Sequence, residues 1–231
     1  MEILGFVPAR GGSKGIPGKN MKPLLGKPLM QYTFEAAKQS RYIDRLLLST
    51  DEPSYASFGE SEGVEVSMRP AELSGDDTPM KEVVRYHLEE FKKEGYEPDV
   101  FVLLQPTSPL RTAGDIDESL TLLLKDEKAD SVVSVREVPH SCLPVKIMKE
   151  EEGALVFLER DGEKYTTRQA LPTLYARNGP AILAFKVKSF LETGSFYGKR
   201  CIKYLMPEER SVDIDTPFDF KLVSFLMESN E

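Results

Sequence analysis

The sequence predicts an α/β fold: a mostly parallel sheet with helices on both faces. Three observations predict it. Apolar runs of strand length alternate with stretches of helix length along the 231 residues. The first apolar run leads directly into a glycine-rich, cationic loop, and open α/β sheets bind their ligands beyond the carboxyl ends of the strands. The alternation breaks once, between Val138 and about Tyr175, in a polar stretch that reads as an excursion from the sheet.

Ile3–Ala9 reads as a buried strand and Pro28–Ser40 as a helix with Pro28 in its first turn. Asp44–Thr50 is a second strand, Pro53–Gly63 a helix ended by its glycine, and Val64–Met68 a short strand. Asp77 or Thr78 is placed to cap a helix running to about Glu94, where Gly95 stops it. Asp99–Leu104 is apolar throughout, as a central strand is. Gly114–Lys125 is a helix and Ser131–Arg136 a strand. Within the excursion, "KEEEG" and "ERDGEK" are turn signals around two short strand candidates, Val145–Met148 and Ala154–Leu158. A hairpin arm and a surface loop are both compatible with that stretch; its length favours the arm. Order resumes with strands at Ala181–Val187 and Arg200–Leu205, and "SVDIDTPFDF" leads into a final helix ending near Met227. The whole chain, 1–231, reads as one domain.

A net charge of −8 argues against a broad nucleic-acid surface, so a bound anion must meet a local cluster of cations. The two cysteines, Cys142 and Cys201, form no CxxC pair, which argues against a disulfide framework or a zinc site and fits a reducing cytoplasm. The opening residues are too few and too acidic for a signal peptide, and no apolar run reaches membrane-spanning length.

The cationic cluster is "VPARGGSKGIPGKN", Val7 to Asn20, with four glycines, one arginine and two lysines. It fits neither familiar phosphate motif. The Walker A spacing puts Ser13 where glycine should stand and Asn20 where Ser or Thr should, and G-x-G-x-x-G is not satisfied. It nevertheless has the same physical ingredients: glycines that let backbone N–H groups converge on an anion, and Arg10, Lys14 and Lys19 to add charge. A solvated surface loop with ordinary lysines is the plainer alternative.

This loop closely resembles the signature loop of the N-acylneuraminate cytidylyltransferases. The resemblance continues in "LLSTDE" (Leu47–Glu52), "RPAEL" (Arg69–Leu73), "LLQPTSPLR" (Leu103–Arg111), "SVVSV" (Ser131–Val135) and "SVDIDTPFDF" (Ser211–Phe220), six blocks in order along the chain. It implies a Rossmann-like nucleotidyltransferase domain with an inserted arm, here 138–175, that forms a homodimer. It further implies transfer of CMP from CTP to the anomeric hydroxyl of an acidic sugar, with release of pyrophosphate.

Such chemistry needs positioning and charge neutralisation more than covalent help. Arg10 and Lys14 match the phosphate contacts of the family. The loop residues Gly11, Gly12 and Ser13, with Lys19, Asn20 and Arg69, are the remaining nucleotide-binding candidates. Loop support is the alternative for Lys19, and a helix-capping or surface salt-bridge arginine the alternative for Arg69. Asp213 and Asp215, at i and i+2, share one side of an extended segment and suit Mg²⁺, although a lone "DID" before a helix reads more readily as two exposed acids. The resemblance favours the metal, and with it a catalytic role for Asp215 beside Arg10 and Lys14.

Gln105 matches the family's sugar-contacting glutamine. Arg111 reads as either a ligand contact or a structural tie. Arg168 and Arg177 are candidates for the sugar carboxylate, and Asn178 stands beside them. Here the chain departs from the family's "NGAIY": it has "NGPAILAF", so Ile182 or Leu183 stands where a phenol is expected, pointing to a more apolar sugar of the legionaminic kind. His87 reads as structural, and no residue is assigned as the base. A metal-dependent glycosyltransferase of similar topology and a catalytically silent nucleotide-binding protein are the competing readings.

Overall fold

In the computed structural model, which describes residues 1–13, 15–159, 162–165, 167 and 171–229, the sheet grows outward from the first apolar run. Strand β1 (Ile3–Pro8) pairs in parallel with β4 (Arg45–Thr50) on one side and β6 (Val100–Leu103) on the other, and β4 pairs in parallel with β5 (Glu65–Met68). Beyond β6 the direction reverses. β11 (Leu183–Lys186) is antiparallel to both β6 and β7 (Ser131–Glu137), and β12 (Cys201–Leu205) is parallel to β7.

Alternation of side chains along β1 sends Ile3 and Val7 to one face and Leu4 and Phe6 to the other. Helices α1 (Leu29–Lys38) and α4 (Ala113–Lys125) cover the first face through Met30, Phe34, Ile116 and Leu120. Helices α3 (Met80–Lys93) and α5 (Val187–Thr193) cover the second through Val84, Leu88, Phe91 and Phe190. Each fully buried large side chain, such as Phe6, Phe34 or Phe101, contributes about 1.5–3 kcal/mol by leaving water. Helix α2 (Pro53–Ser61) follows β4, and α6 (Pro217–Glu228) starts from a Thr216–Asp219 capping box, packing with Leu24, Leu29 and Ile214 in a third cluster.

Several boundaries differ from expectation. Neither Asp77 nor Thr78 caps α3; its N-cap is Pro79. Pro28 precedes α1 and pairs instead in a small hairpin of β2 (Pro23–Leu24) and β3 (Lys27–Pro28). Around Val145 the chain forms a short 3-10 turn, Pro144–Lys146, and the hairpin of the excursion is β8 (Met148–Glu151) with β9 (Ala154–Phe157). Helix α5 is an element beyond those expected; it begins at Val187, where the expected strand ends, and buries Val187 and Phe190 at i and i+3.

The return from the excursion, β10 (Tyr175–Arg177), is antiparallel to β7 and contains a displacement that matters for the site. Arg177 pairs with Val135 and Leu183 with Val133, while Leu205 of β12 also pairs with Val135. β10 and β11 therefore lie on the same edge of β7, and the chain between them, Asn178–Ile182, bulges out.

Candidate active site

A cavity of about 340 Å³ opens where β1, β5 and β6 end, lined by Arg10, Ser13, Gly15, Lys19, Asn20, Arg69, Gln105 and Asp215 together with Pro8, Met80, Pro106 and Thr107. Five separate stretches of sequence meet there, each delivered by a strand end, a helix start or a loop.

The opening loop is braced before any ligand arrives. The Gly11 N–H donates to Asp51 at 2.9 Å and the Ser13 N–H to the Gly11 carbonyl at 3.1 Å, so these two amides already have acceptors. Around Gly12 the space is open: a Cβ there would meet nothing within 4 Å. Asn20, buried, donates from Nδ2 to the Arg10 carbonyl at 3.3 Å. Gly15 lies so close to the Asp215 carbonyl that a Cβ would collide with it. Lys19 completes the brace. Its ammonium donates to the Ile214 carbonyl at 2.7 Å and lies 3.3 Å from the Asp215 carboxylate. Arg10 pairs with Asp76, from the loop before α3. Lys14 lies outside the described residues.

Arg69 follows β5 and is buried. Its Nε–H donates to Ser49 Oγ at 2.8 Å and Nη2 to the Ser49 carbonyl at 2.9 Å. Burial, with the charge of Arg10 nearby, lowers its pKa to about 10 despite Asp51, which leaves it a cation at neutral pH.

The Asp213–Asp215 segment is pinned from both sides. The Ile214 N–H donates to the Thr107 carbonyl at 2.8 Å, and its side chain is fully buried. Asp213 accepts from Ser108 Oγ at 3.2 Å, and Gly179 of the bulge approaches so closely that a Cβ would sit 3.1 Å from the Asp213 carboxylate. Gly179 has φ +113°, a conformation other residues rarely adopt, so steric room and backbone geometry both require glycine there. Asp215 is three-quarters exposed and faces the cavity. No group of three His, Cys, Asp or Glu side chains with metal-binding geometry occurs among the described residues. A divalent cation held at Asp215 would need its other ligands from substrate oxygens and water.

Other expected site residues are placed elsewhere. Arg111 is buried against the Gln105 and Ala181 carbonyls and Thr33, which makes it the tie that fixes the Gln105 loop. Asn178 does not line the cavity. Its carboxamide accepts from Ser134 Oγ at 2.7 Å and donates to Ser211 Oγ at 3.2 Å, which holds the bulge. Arg177 is exposed on β10 and donates to the Tyr197 hydroxyl at 2.6 Å. Arg168 lies outside the described residues. Ile182 and Leu183 are fully buried in opposite core clusters, so they line no sugar pocket and their apolar character does not point to a more apolar sugar. Residues that sequence reasoning missed are Asp76 and Met80, which stand in none of the six blocks, and Asp51, which lies in "LLSTDE" with nothing local to single it out.

The chain matches the family described as Cytidylyltransferase over residues 4–228. It is 36% identical over 223 residues to the N-acylneuraminate cytidylyltransferase of Escherichia coli, 96% of this chain but 51% of that protein, so it spans about half the length of that relative. It is 34% identical to the CMP-N,N'-diacetyllegionaminic acid synthase of Legionella pneumophila, with 100% of this chain and 98% of that one covered. Among solved structures, a CMP:2-keto-3-deoxy-manno-octonic acid synthetase complexed with CTP superposes over the full length of both chains, with a TM-score of 0.69 at 17% identity, a likeness of fold. The match takes in the glycine loop, Arg69, Gln105 and the Asp213–Asp215 segment, which are the elements that converge on the cavity, and the chain belongs to the cytidylyltransferase family.

Proposed function

We propose that this protein joins CMP from CTP to the anomeric hydroxyl of an acidic nonulosonic-type sugar, releasing pyrophosphate. The observation that carries the reading is the convergence of the cationic loop, Arg69, Gln105 and Asp215 on one cavity. The full-length likeness to a CMP-N,N'-diacetyllegionaminic acid synthase supports this substrate class.

In this reading the sugar hydroxyl oxygen attacks the α-phosphorus, the bond from that phosphorus to the α–β bridging oxygen breaks, pyrophosphate departs with the bridging oxygen, and the hydroxyl proton passes to solvent. Arg10 and Lys14 hold the phosphates, which requires Arg10 to exchange Asp76 for the nucleotide. Gly12 leaves the backbone open to close approach, while Asn20 and Arg69 face the nucleoside. Asp213 and Asp215 would hold Mg²⁺, whose chemistry is to neutralise triphosphate charge. Gln105 faces the sugar, and Arg168 and Arg177 remain candidates for its carboxylate, Arg177 only if it releases Tyr197. The arm over 138–175 is proposed to pair two copies into a homodimer. No helix among the described residues is long and apolar enough to cross a membrane.

The test is pyrophosphate release with CTP, Mg²⁺ and a panel of 2-keto-3-deoxy sugar acids. Turnover that requires all three is expected. No turnover with any acid and any nucleoside triphosphate overturns the proposal.

A further inference from the structure

His87 is almost fully buried in the middle of α3, outside the cavity lining, and the reaction gives it no part. Its ring packs against Phe6 and Tyr86, each with centroids 5.1 Å away, and against Phe91 at 6.4 Å. Its Nε2 lies 2.7 Å from Ser49 Oγ, the atom that accepts the Arg69 Nε–H. Ser49 is fully buried, and Arg69 and His87 are the partners of its hydroxyl. With the Arg69 N–H on one lone pair, the hydroxyl hydrogen must go to His87 Nε2 or be left without an acceptor inside the core. The direction is therefore set: Arg69 donates to Ser49, and Ser49 donates to a neutral His87. Burial and the charge of Arg69 hold the His87 pKa down at about 4, which keeps the ring neutral.

The relay has a consequence at the cavity. Two donors on one edge of the Arg69 guanidinium are fixed on Ser49, through Oγ and through the carbonyl. The plane of the fork is then determined. Nη1 and the second Nη2 hydrogen have no other partner among the described residues, and Arg69 lines the cavity. Two parallel donors match a base that presents two adjacent acceptors. Cytosine does so with O2 and N3, whereas uracil carries a hydrogen on N3 and would set donor against donor. A site built around such a pairing discriminates strongly, because the wrong base leaves buried donors unpaired.

We infer that His87 is a positioning residue which, through Ser49, orients Arg69 to read the O2/N3 edge of cytosine, and so sets the preference of the site for CTP over UTP. This rests on the cytidylyltransferase reading of the cavity. It adds a remote determinant of base choice on a helix that contributes only Met80 to the lining.

The experiment compares the wild type with His87→Phe, His87→Gln and Ser49→Ala. Dissociation constants for CTP and UTP come from titration calorimetry, and KM and kcat from pyrophosphate release. Phe keeps the aromatic packing and removes the acceptor; Gln can return an acceptor near the Nε2 position. In His87→Phe and Ser49→Ala, CTP is expected to bind about tenfold more weakly and the CTP-over-UTP ratio to fall by a similar factor, with the KM for the sugar unchanged. Gln should restore much of the ratio, and the variant combining His87→Phe with Ser49→Ala should lose little more than either single one. An unchanged CTP-over-UTP ratio in Ser49→Ala, or in His87→Phe where it folds, overturns the inference, even if stability or kcat falls. If the wild type binds CTP over UTP and the variants lose that preference but no sugar acid supports turnover, the inference stands and the proposed transfer fails.

Discussion

The Lys19 ammonium and the Asp215 carboxylate lie 3.3 Å apart although 196 residues separate them in the chain. Lys19 also holds the Ile214 carbonyl, and its side chain is only 12% exposed, so it clamps the first loop of the protein to its last irregular segment. The clamp serves geometry: phosphate-side and acid-side groups must keep a fixed separation if both are to act on one nucleotide. Lys19→Met is therefore expected to cost about 1–3 kcal/mol, the range for a hydrogen bond to a charged group or a stranded acceptor, and to lower Tm by several degrees. The KM for CTP should rise as well. A variant with wild-type Tm and wild-type KM would contradict the clamp.

Asp215 is exposed enough that its removal should leave the fold intact. In Asp215→Asn, kcat for pyrophosphate release is expected to fall about 10²-fold or more, with circular dichroism and Tm close to wild type, because a strong electrostatic contact to the transition state is lost. Near-wild-type turnover at saturating Mg²⁺ would remove Asp215 from the metal.

How much of this was legible in the sequence follows from where the determining contacts lie. Buried runs such as "DVFVLL" announce β6 by composition alone, and the glycine loop announces itself by what it lacks in side chains. Asn178 looked like a site residue because it is polar and adjoins the glycine of a motif. Its actual partners, Ser134 and Ser211, stand 44 and 33 residues away, and no local pattern reveals them. Leu183 and Ile182 misled for the opposite reason: where the chain enters β11 the sheet is covered on both faces, so these two neighbours enter opposite cores and neither enters a pocket. Arg111 could not be divided between ligand and tie until Thr33 and the Ala181 carbonyl were seen beside it.

The structural role of Asn178 is separable from a role in sugar binding. Asn178→Ala removes two buried hydrogen bonds, each worth about 0.5–1.5 kcal/mol, while Ser134 and Ser211 keep bonds to the Ile182 and Pro207 carbonyls, so a loss of about 1–3 kcal/mol is expected. Because the bulge that Asn178 holds carries Gly179 against Asp213, kcat should also fall, while the KM for the sugar stays within about twofold. A large rise in sugar KM with unchanged Tm would return Asn178 to the sugar site.

His87 makes stability depend on pH in a window above that of the carboxylates. Burial first, and then the charge of Arg69, lowers its pKa from 6.5 to about 4, against a smaller opposing pull from Glu90. Between those values the unfolded chain takes up a proton that the folded chain refuses. The stabilisation is complete above about pH 6.5 and is lost progressively as pH falls toward 4, by about 3 kcal/mol at most. Urea midpoints measured from pH 7.5 to 4.5 should fall in the wild type and fall less steeply in His87→Phe. Parallel curves for the two would show that His87 titrates normally in the fold.

The arm offers the clearest test of assembly. β8 and β9 pair Met148 with Phe157 and Glu150 with Leu155, which puts Met148, Phe157 and Leu155 on one face of a two-stranded ribbon. Leu155 is 67% exposed and Met148 42%. A two-stranded hairpin is marginal alone, and one that presents apolar side chains to water gains by covering them against another surface. A second copy of the arm offers the same face, and closed two-fold pairing is the commonest way for a chain to cover its own patch. Light scattering at micromolar concentration is expected to give a dimer, and Leu155→Asp to shift it toward monomer without lowering Tm of the domain by more than a few degrees, since Leu155 touches neither core cluster of the sheet. A wild-type monomer, or a dimer indifferent to Leu155→Asp and to Met148→Asp, would place the interface elsewhere or remove it.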